Sequence, residues 1–166
     1  SSPRRQRQMC IRDRYYHKVT GCNSRLDSIQ AAILNVKLKY LDHYNSNREK
    51  MAKTYDIGFG DVEHLSIPFR SPNSTHVFHQ YTLKTSYEYR DKLIKYLTKK
   101  EIPAMIYYPV PLYKQEAFSS YVPENFSIEN IEKLCNSVFS LPIHSEKENS
   151  QQDKIIDSVK SFFNSI

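Results

Sequence analysis

Between Leu26 and Tyr55, apolar side chains return every three or four positions: Leu26, Ile29, Ile33, Val36, Tyr40, Tyr44, Met51 and Tyr55. Ser28, Asn35, Lys39, Asp42, Ser46 and Glu49 fall away from that seam, which is the period of one helix face. The spacing predicts one long helix that begins near Ser24 or Arg25 and ends by Gly58 and Gly60. A helix of that length suits a bridge between domains or an interface.

Downstream, the pattern shortens to that of an α+β unit. Leu65–Phe69 reads as a short strand before the turn-like Ser71-Pro72-Asn73-Ser74. His76–Thr85 alternates as a strand with Val77, His79, Tyr81 and Leu83 on one side. Tyr89–Lys99 reads as an amphipathic helix with Leu93, Tyr96 and Leu97 inward. Pro103–Tyr108 reads as a third strand, stopped by Pro109 and Pro111. Ile128–Val138 is expected to be a helix, Phe139–Ile143 a short extended piece and Lys147–Phe163 a terminal helix. The sheet is expected to be antiparallel.

A chain of 166 residues, 39% hydrophobic and 25% charged, has the composition of a globular domain large enough to bury a core. No apolar run approaches the roughly 20 residues that span a bilayer, and the basic start has no apolar segment to make a signal peptide. The cysteines, Cys10, Cys22 and Cys135, are odd in number and far apart. That spacing fits neither a zinc site nor a disulfide framework, and points to a reducing cytoplasm.

The formal charge of +6 invites a nucleic-acid reading, but five arginines against Asp13 put +4 of it in residues 1–14. The rest of the chain is close to balanced, so neither nucleic acid nor a membrane surface is an expected partner. The head segment 1–14 shares no pattern with the rest of the chain. It resembles translated sequencing-adaptor DNA and is expected to be non-native or disordered; a basic tail is the biological alternative.

Three glycines leave no Gly-rich phosphate loop, and the six histidines lack metal-ligand spacing. Neither H-E-x-x-H nor G-x-S-x-G occurs, so no self-contained catalytic constellation is present, and no metal site is expected. One dense polar cluster remains, Gly21-Cys22-Asn23-Ser24-Arg25-Leu26-Asp27, at the predicted helix start. It has two readings. In one, Asn23 or Ser24 caps the helix and Asp27 sits in the first turn, where the helix dipole favours an acid. In the other, free backbone N–H groups, an amide and a guanidinium converge on an anion such as phosphate.

The same cluster opens a longer pattern: Tyr15-x-His17-x-x-x-Gly21-x-Asn23-x-Arg25-Leu26-Asp27-x-x-Gln30-Ala31-Ala32-Ile33-Leu34. It continues through Arg48, Ala52–Tyr55, His76-Val77-Phe78-His79-Gln80-Tyr81, Tyr107-Tyr108-Pro109-Val110-Pro111-Leu112 and Leu141-Pro142-Ile143-His144. In order and spacing this resembles the carboxy-terminal half of the DegT/DnrJ/StrS family of pyridoxal-phosphate-dependent sugar aminotransferases. The resemblance covers about residues 15–166.

The resemblance implies an α/β fold, the α+β small domain of a fold-type-I transferase led by a long interdomain helix. Residues 15–56 would be the end of the cofactor-domain region and the connecting helix, and 57–166 the small domain. It implies a homodimer, with Asn23 and Arg25 reaching the phosphate of pyridoxal phosphate in the partner subunit. Tyr108, His79, Tyr107 and His17 are carried over as substrate-binding; many relatives have histidine where Tyr107 stands. Tyr15 is a second pocket-lining candidate beside His17, Gln30 is expected to pack within the helix, and Leu141–His144 is expected to be structural.

The implied reaction moves an amino group, usually from glutamate, to a keto group on a nucleotide-linked sugar for polysaccharide or amino-sugar biosynthesis. The Schiff-base lysine and most of the phosphate cradle would lie in a half that precedes this chain, so the chain alone is not expected to catalyse. The reading from a different class is a non-catalytic nucleotide-sugar-binding or dimerisation module.

Overall fold

The protein is described by a computed structural model covering residue 16, residues 26–146 and residues 149–166. The expectations on residues 1–14, Tyr15, His17, Asn23 and Arg25 lie outside the described residues. Two compact units are present: Asp27–Tyr107 with Ser137–Ile166, and Tyr108–Asn136.

The first unit opens with two helices, α1 (Ser28–Leu38) and α2 (Leu41–Phe59). No strand interrupts residues 29–50, as the seam requires, but the helix is not continuous. Lys39 and Tyr40 form a turn, and Tyr40 has φ −108° and ψ 4°, outside the helical well. No glycine or proline marks that break. The start also differs from expectation: Asp27, extended at φ −70° and ψ 143°, is itself the cap of α1, its Oδ1 accepting from Ile29 N–H at 2.7 Å. A short carboxylate at this position satisfies a free helix N–H as well as Ser or Asn would. At the other end Gly58 lies inside α2 and Gly60 caps it.

Burial also splits the predicted seam. No residue of α1 is buried, and Ile33 and Val36 are 52% and 62% exposed. In α2, Met51, Ala52, Tyr55 and Phe59 are buried, one face at helical spacing. The seam thus enters the core only in its second half.

Three short strands form an antiparallel sheet in the order β1 (Leu65–Ser66), β2 (Tyr81–Thr85), β3 (Val138–Leu141). Tyr81, Leu83 and Thr85 of β2 point inward, the period-2 alternation of a half-buried strand. Helices α3 (Tyr87–Lys99) and α5 (Asn149–Phe163) cover that face with α2. The core joins Tyr55, Phe59, Tyr81, Leu83, Leu93, Leu97, Phe139 and Val159.

Three predicted strands are shorter than expected, and of Leu65–Phe69 only Leu65 and Ser66 are strand. Pro103–Tyr108 contributes a single bridge, Met105 to Ser140, and His76–Gln80 is not strand at all. There the chain turns: His76 Nδ1 accepts from Phe78 N–H at 2.9 Å, and Phe78 takes φ 47°, a left-handed conformation uncommon outside glycine. The turn sends Phe78 into the core and leaves Val77 and His79 exposed, the reverse of the predicted alternation.

In the second unit, α4 (Glu129–Ser137), all but its last residue, follows two short 3-10 segments, Leu112–Lys114 and Glu116–Tyr121. No described helix is long and apolar enough to cross a membrane.

Candidate functional site

β3 carries the framework of the site. Its register with β2 pairs Tyr81 with Leu141 and Thr82 with Ser140, and the two hydroxyls of Thr82 and Ser140 lie 2.8 Å apart. On the other side of β3, Ser140 and Met105 exchange two backbone hydrogen bonds, Met105 N–H to Ser140 O at 3.0 Å and Ser140 N–H to Met105 O at 2.7 Å. That bridge fixes the stretch that ends in Tyr107. Beyond β3, the Tyr55 hydroxyl donates to the Pro142 carbonyl at 2.8 Å, tying the strand exit to α2.

These ties enclose a depression of about 200 Å³ lined by His79, Gln80, Met105, Tyr107, Ser140 and Ile143. Two of the residues singled out from sequence, His79 and Tyr107, therefore face one space although 28 positions separate them. The imidazole brings a donor and an acceptor, the phenol another of each, and Met105 and Ile143 supply apolar surface. The space is smaller than the roughly 300–1,000 Å³ of complete small-molecule sites, so it suits one ring or one hydroxylated edge of a ligand. Tyr108 belongs to the second unit and is 65% exposed. Gln30 is exposed on α1, and His144 is exposed after β3, its Nδ1 accepting from Glu146 N–H at 3.2 Å.

Around this depression the polar groups of the core are satisfied. Asp56 receives the Tyr81 hydroxyl at 2.8 Å and Arg70 Nε at 2.9 Å, while the Arg70 guanidinium lies 3.9 Å above the Phe78 ring. Burial pushes the Tyr81 phenol above its ordinary range, and the hydrogen bond to Asp56 adds to that; burial does the same to Tyr55. Both hydroxyls are therefore fixed donors rather than acids or bases. Gln80, Met105 and Ser140 were not foreseen. Gln80 lies in the quoted motif without having been given a role, whereas Met105 and Ser140 reach the depression only through strand pairing.

In the second unit one carboxylate organises the local chain. Glu132 accepts from the Tyr113 hydroxyl at 2.6 Å and the Ser127 hydroxyl at 2.8 Å, and pairs with Lys114 Nζ at 2.8 Å. Lys114 first, then the two hydroxyls, hold its carboxyl down at about 2. The same contact raises Lys114.

The sequence pattern that defines the DegT/DnrJ/EryC1/StrS aminotransferase family matches residues 4–160. The chain belongs to that family. A dTDP-3-amino-3,4,6-trideoxy-alpha-D-glucose transaminase of Streptomyces venezuelae is 34% identical over 91% of the chain and 39% of its own length. A pleiotropic regulatory protein of Geobacillus stearothermophilus is 37% identical over 90% of the chain and 40% of its own length. The crystal structure of Streptomyces venezuelae DesV with a ketimine intermediate superposes with a TM-score of 0.80 at 32% identity, covering 98% of this chain and 43% of that one. The chain thus spans about 40% of the length of the curated relatives it matches.

Aminotransferases of this family use pyridoxal phosphate. In this family member no lysine and no cluster of phosphate-directed donors lines the depression among the described residues, so those residues do not by themselves make a seat for that cofactor.

Proposed function

We propose that this chain is the carboxy-terminal part of a homodimeric, cytoplasmic sugar aminotransferase and that it is inactive alone. The overall exchange is balanced: the donor amino acid, taken as glutamate, becomes its 2-keto acid, and the carbonyl of a nucleotide-linked keto-sugar becomes an amine. The observation that carries this reading is a family match over nearly the whole chain combined with about 40% coverage of the curated relatives. The depression holding His79 and Tyr107 would take one edge of the sugar, with Tyr108 and His17 completing the substrate contacts. Asn23 and Arg25 would bind the phosphate of the partner subunit's pyridoxal phosphate.

The test is a family-length enzyme rebuilt around this chain. Asn23→Ala and Arg25→Ala are each expected to weaken cofactor retention about 10- to 150-fold, the value of a charge-assisted hydrogen bond to phosphate. The melting temperature should change little, because the cap of α1 is Asp27, which both variants retain. Unchanged cofactor affinity with a lower melting temperature would reduce both residues to structural roles. For the isolated chain, borohydride reduction after mixing with pyridoxal phosphate should yield only scattered lysine adducts.

The regulatory name of the Geobacillus relative favours one second reading, a non-catalytic nucleotide-sugar-binding or dimerisation module. Saturable nucleotide-sugar binding by the 166-residue chain, without any cofactor adduct, is the outcome that would select it.

A further inference from the structure

His79 and Gln80 line the depression, yet among the described residues neither side chain is held by a hydrogen bond, ion pair or ring contact of its own. Their place is set by the residues on either side, Phe78 and Tyr81. Both neighbours are buried, at 3% and 0% exposed.

One carboxylate reaches both of them. Asp56, on α2, accepts through Oδ1 from the Tyr81 hydroxyl at 2.8 Å and through Oδ2 from Arg70 Nε at 2.9 Å. A second guanidinium nitrogen of Arg70 donates to the same Oδ2. The guanidinium in turn lies 3.9 Å from the centre of the Phe78 ring, within cation–π range. Tyr81 is thus held by Asp56 directly and Phe78 through Arg70, with His79 and Gln80 as the residues between.

Phe78 needs such a hold. Its φ of 47° is a left-handed conformation that is unfavourable for a bulky side chain and persists only where surrounding contacts over-determine it. His76 Nδ1, accepting from Phe78 N–H at 2.9 Å, and the core around the ring supply part of that. The turn also decides which side chain faces where. In a regular strand through 76–81, His79 would share the inward side with Tyr81 and Leu83. The left-handed Phe78 takes the inward place instead and leaves His79 for the depression.

We propose that Asp56 and Arg70 are positioning residues for the depression: by holding Phe78 and Tyr81 from one carboxylate, they set where His79 and Gln80 present their polar groups. Neither Asp56 nor Arg70 lines the depression, so both act through these neighbours. In assigning the placed pair to one edge of a sugar, the inference rests on the reading given under Proposed function; the anchoring itself does not.

The test follows the whole 166-residue chain by NMR, without cofactor or sugar. The Cα and Cβ shifts and the HN–Hα coupling of Phe78 report its φ. The ring protons of His79 and the side-chain amide of Gln80 report the pair. Arg70→Met is expected to move Phe78 out of its left-handed values and to displace the His79 and Gln80 signals with it. Asp56→Asn, which keeps an acceptor for Tyr81 but loses the ion pair, should displace them less. Arg70→Lys keeps a cation but not the planar fork, so its signals should lie between wild type and Arg70→Met. Val159→Ala, a core change on α5 outside the anchor, should lower the urea midpoint and leave all of these signals in place.

Wild-type Phe78, His79 and Gln80 signals in a folded Arg70→Met would assign the turn to His76 and the core alone and overturn the proposal. The same displacement in Val159→Ala would make it a general response to lost stability, which overturns it too. Should Arg70→Met not fold, Arg70→Lys and Asp56→Asn decide: displaced signals support the anchor, and unmoved ones overturn it. None of these readouts involves the cofactor or a sugar nucleotide. Failure here therefore leaves the aminotransferase reading standing, and failure of that reading leaves the anchoring result intact.

Discussion

Tyr55 joins packing and polarity in one side chain. It is fully buried, its ring lies 5.5 Å from that of Phe59 and 4.8 Å from that of Tyr81, and its hydroxyl donates to the Pro142 carbonyl. Tyr55→Phe keeps the ring and strands that carbonyl, so it is expected to cost about 1 kcal/mol. Tyr55→Ala removes the ring as well and should cost about 3–5 kcal/mol, as large-to-small core changes do. Urea denaturation of both variants measures the difference, and equal losses would show that the hydroxyl, not the ring, dominates. Because Pro142 follows β3 directly, Tyr55→Phe should also shift the amide signals of Ser140 and Ile143, which line the depression. The helical repeat made Tyr55 legible as a core residue, whereas nothing in its neighbourhood of the chain pointed to Pro142, 87 positions away.

The meeting of α2 with α5 turns on Gly58. A Cβ there would stand 2.9 Å from Ile156 Cγ2 and 3.2 Å from its Cγ1, atoms of a stiff β-branched side chain. Gly58→Ala gains about 1 kcal/mol of helix propensity but incurs an overpacking cost of about 1–3 kcal/mol. A net loss of up to about 2 kcal/mol is therefore expected. Ile156→Ala, which clears the space, should turn the same glycine change from a loss into a gain. A double-mutant cycle by chemical denaturation tests this, and additive effects would show that Ile156 is not the obstacle. Read in sequence alone, Gly58 is a helix stop; in the fold it is the place where two helices approach closely. The break at Lys39–Tyr40 is the opposite case. Apolar spacing continues across it and no breaker residue marks it, so periodicity cannot separate two successive helices from one.

The carboxylate whose titration is most displaced among the described residues is Glu132, which gathers Tyr113, Lys114 and Ser127 in the second unit. Its folded carboxyl titrates at about 2, below the ordinary value of 4.5 that it regains on unfolding. A carboxylate depressed in this way contributes stability above its unfolded value and loses it as pH falls towards the folded one. The second unit is thus expected to loosen between about pH 4.5 and 2, seen as Tyr113 and Ser127 signals moving to random-coil positions. Glu132→Gln should remove that acid step and make the unit looser at neutral pH. An unchanged acid profile in the variant would assign the step to other groups. Lys114 is exposed and Glu132 only partly buried, so the contribution is salt-sensitive and the step should shrink in about 1 M salt.

Local chemistry determined much of this protein before any tertiary contact. The 3.6-residue repeat predicted helices over about 26–55, 89–99 and 147–163, and the described helices fall at 28–38 with 41–59, at 87–99 and at 149–163, because burying one face requires that spacing. Motif order placed the chain in its family, and the pairing of His79 with Tyr107 as site candidates came from the same source. Other features required the folded chain, since each depends on groups far apart in sequence or on space. Whether an apolar face is covered was one: α1 and α2 carry the same pattern, yet only α2 meets β2 and α5, and α1 is left open. The direction of side chains before β2 was another, because the left-handed turn at Phe78, held by His76 and capped by Arg70, inverts the alternation. The strand pairing that brings Ser140 and Met105 beside His79 was a third. The anchor at Asp56 was the last: a sequence shows that a carboxylate exists, and only packing brings Arg70 and Tyr81, 14 and 25 positions away, to its two oxygens.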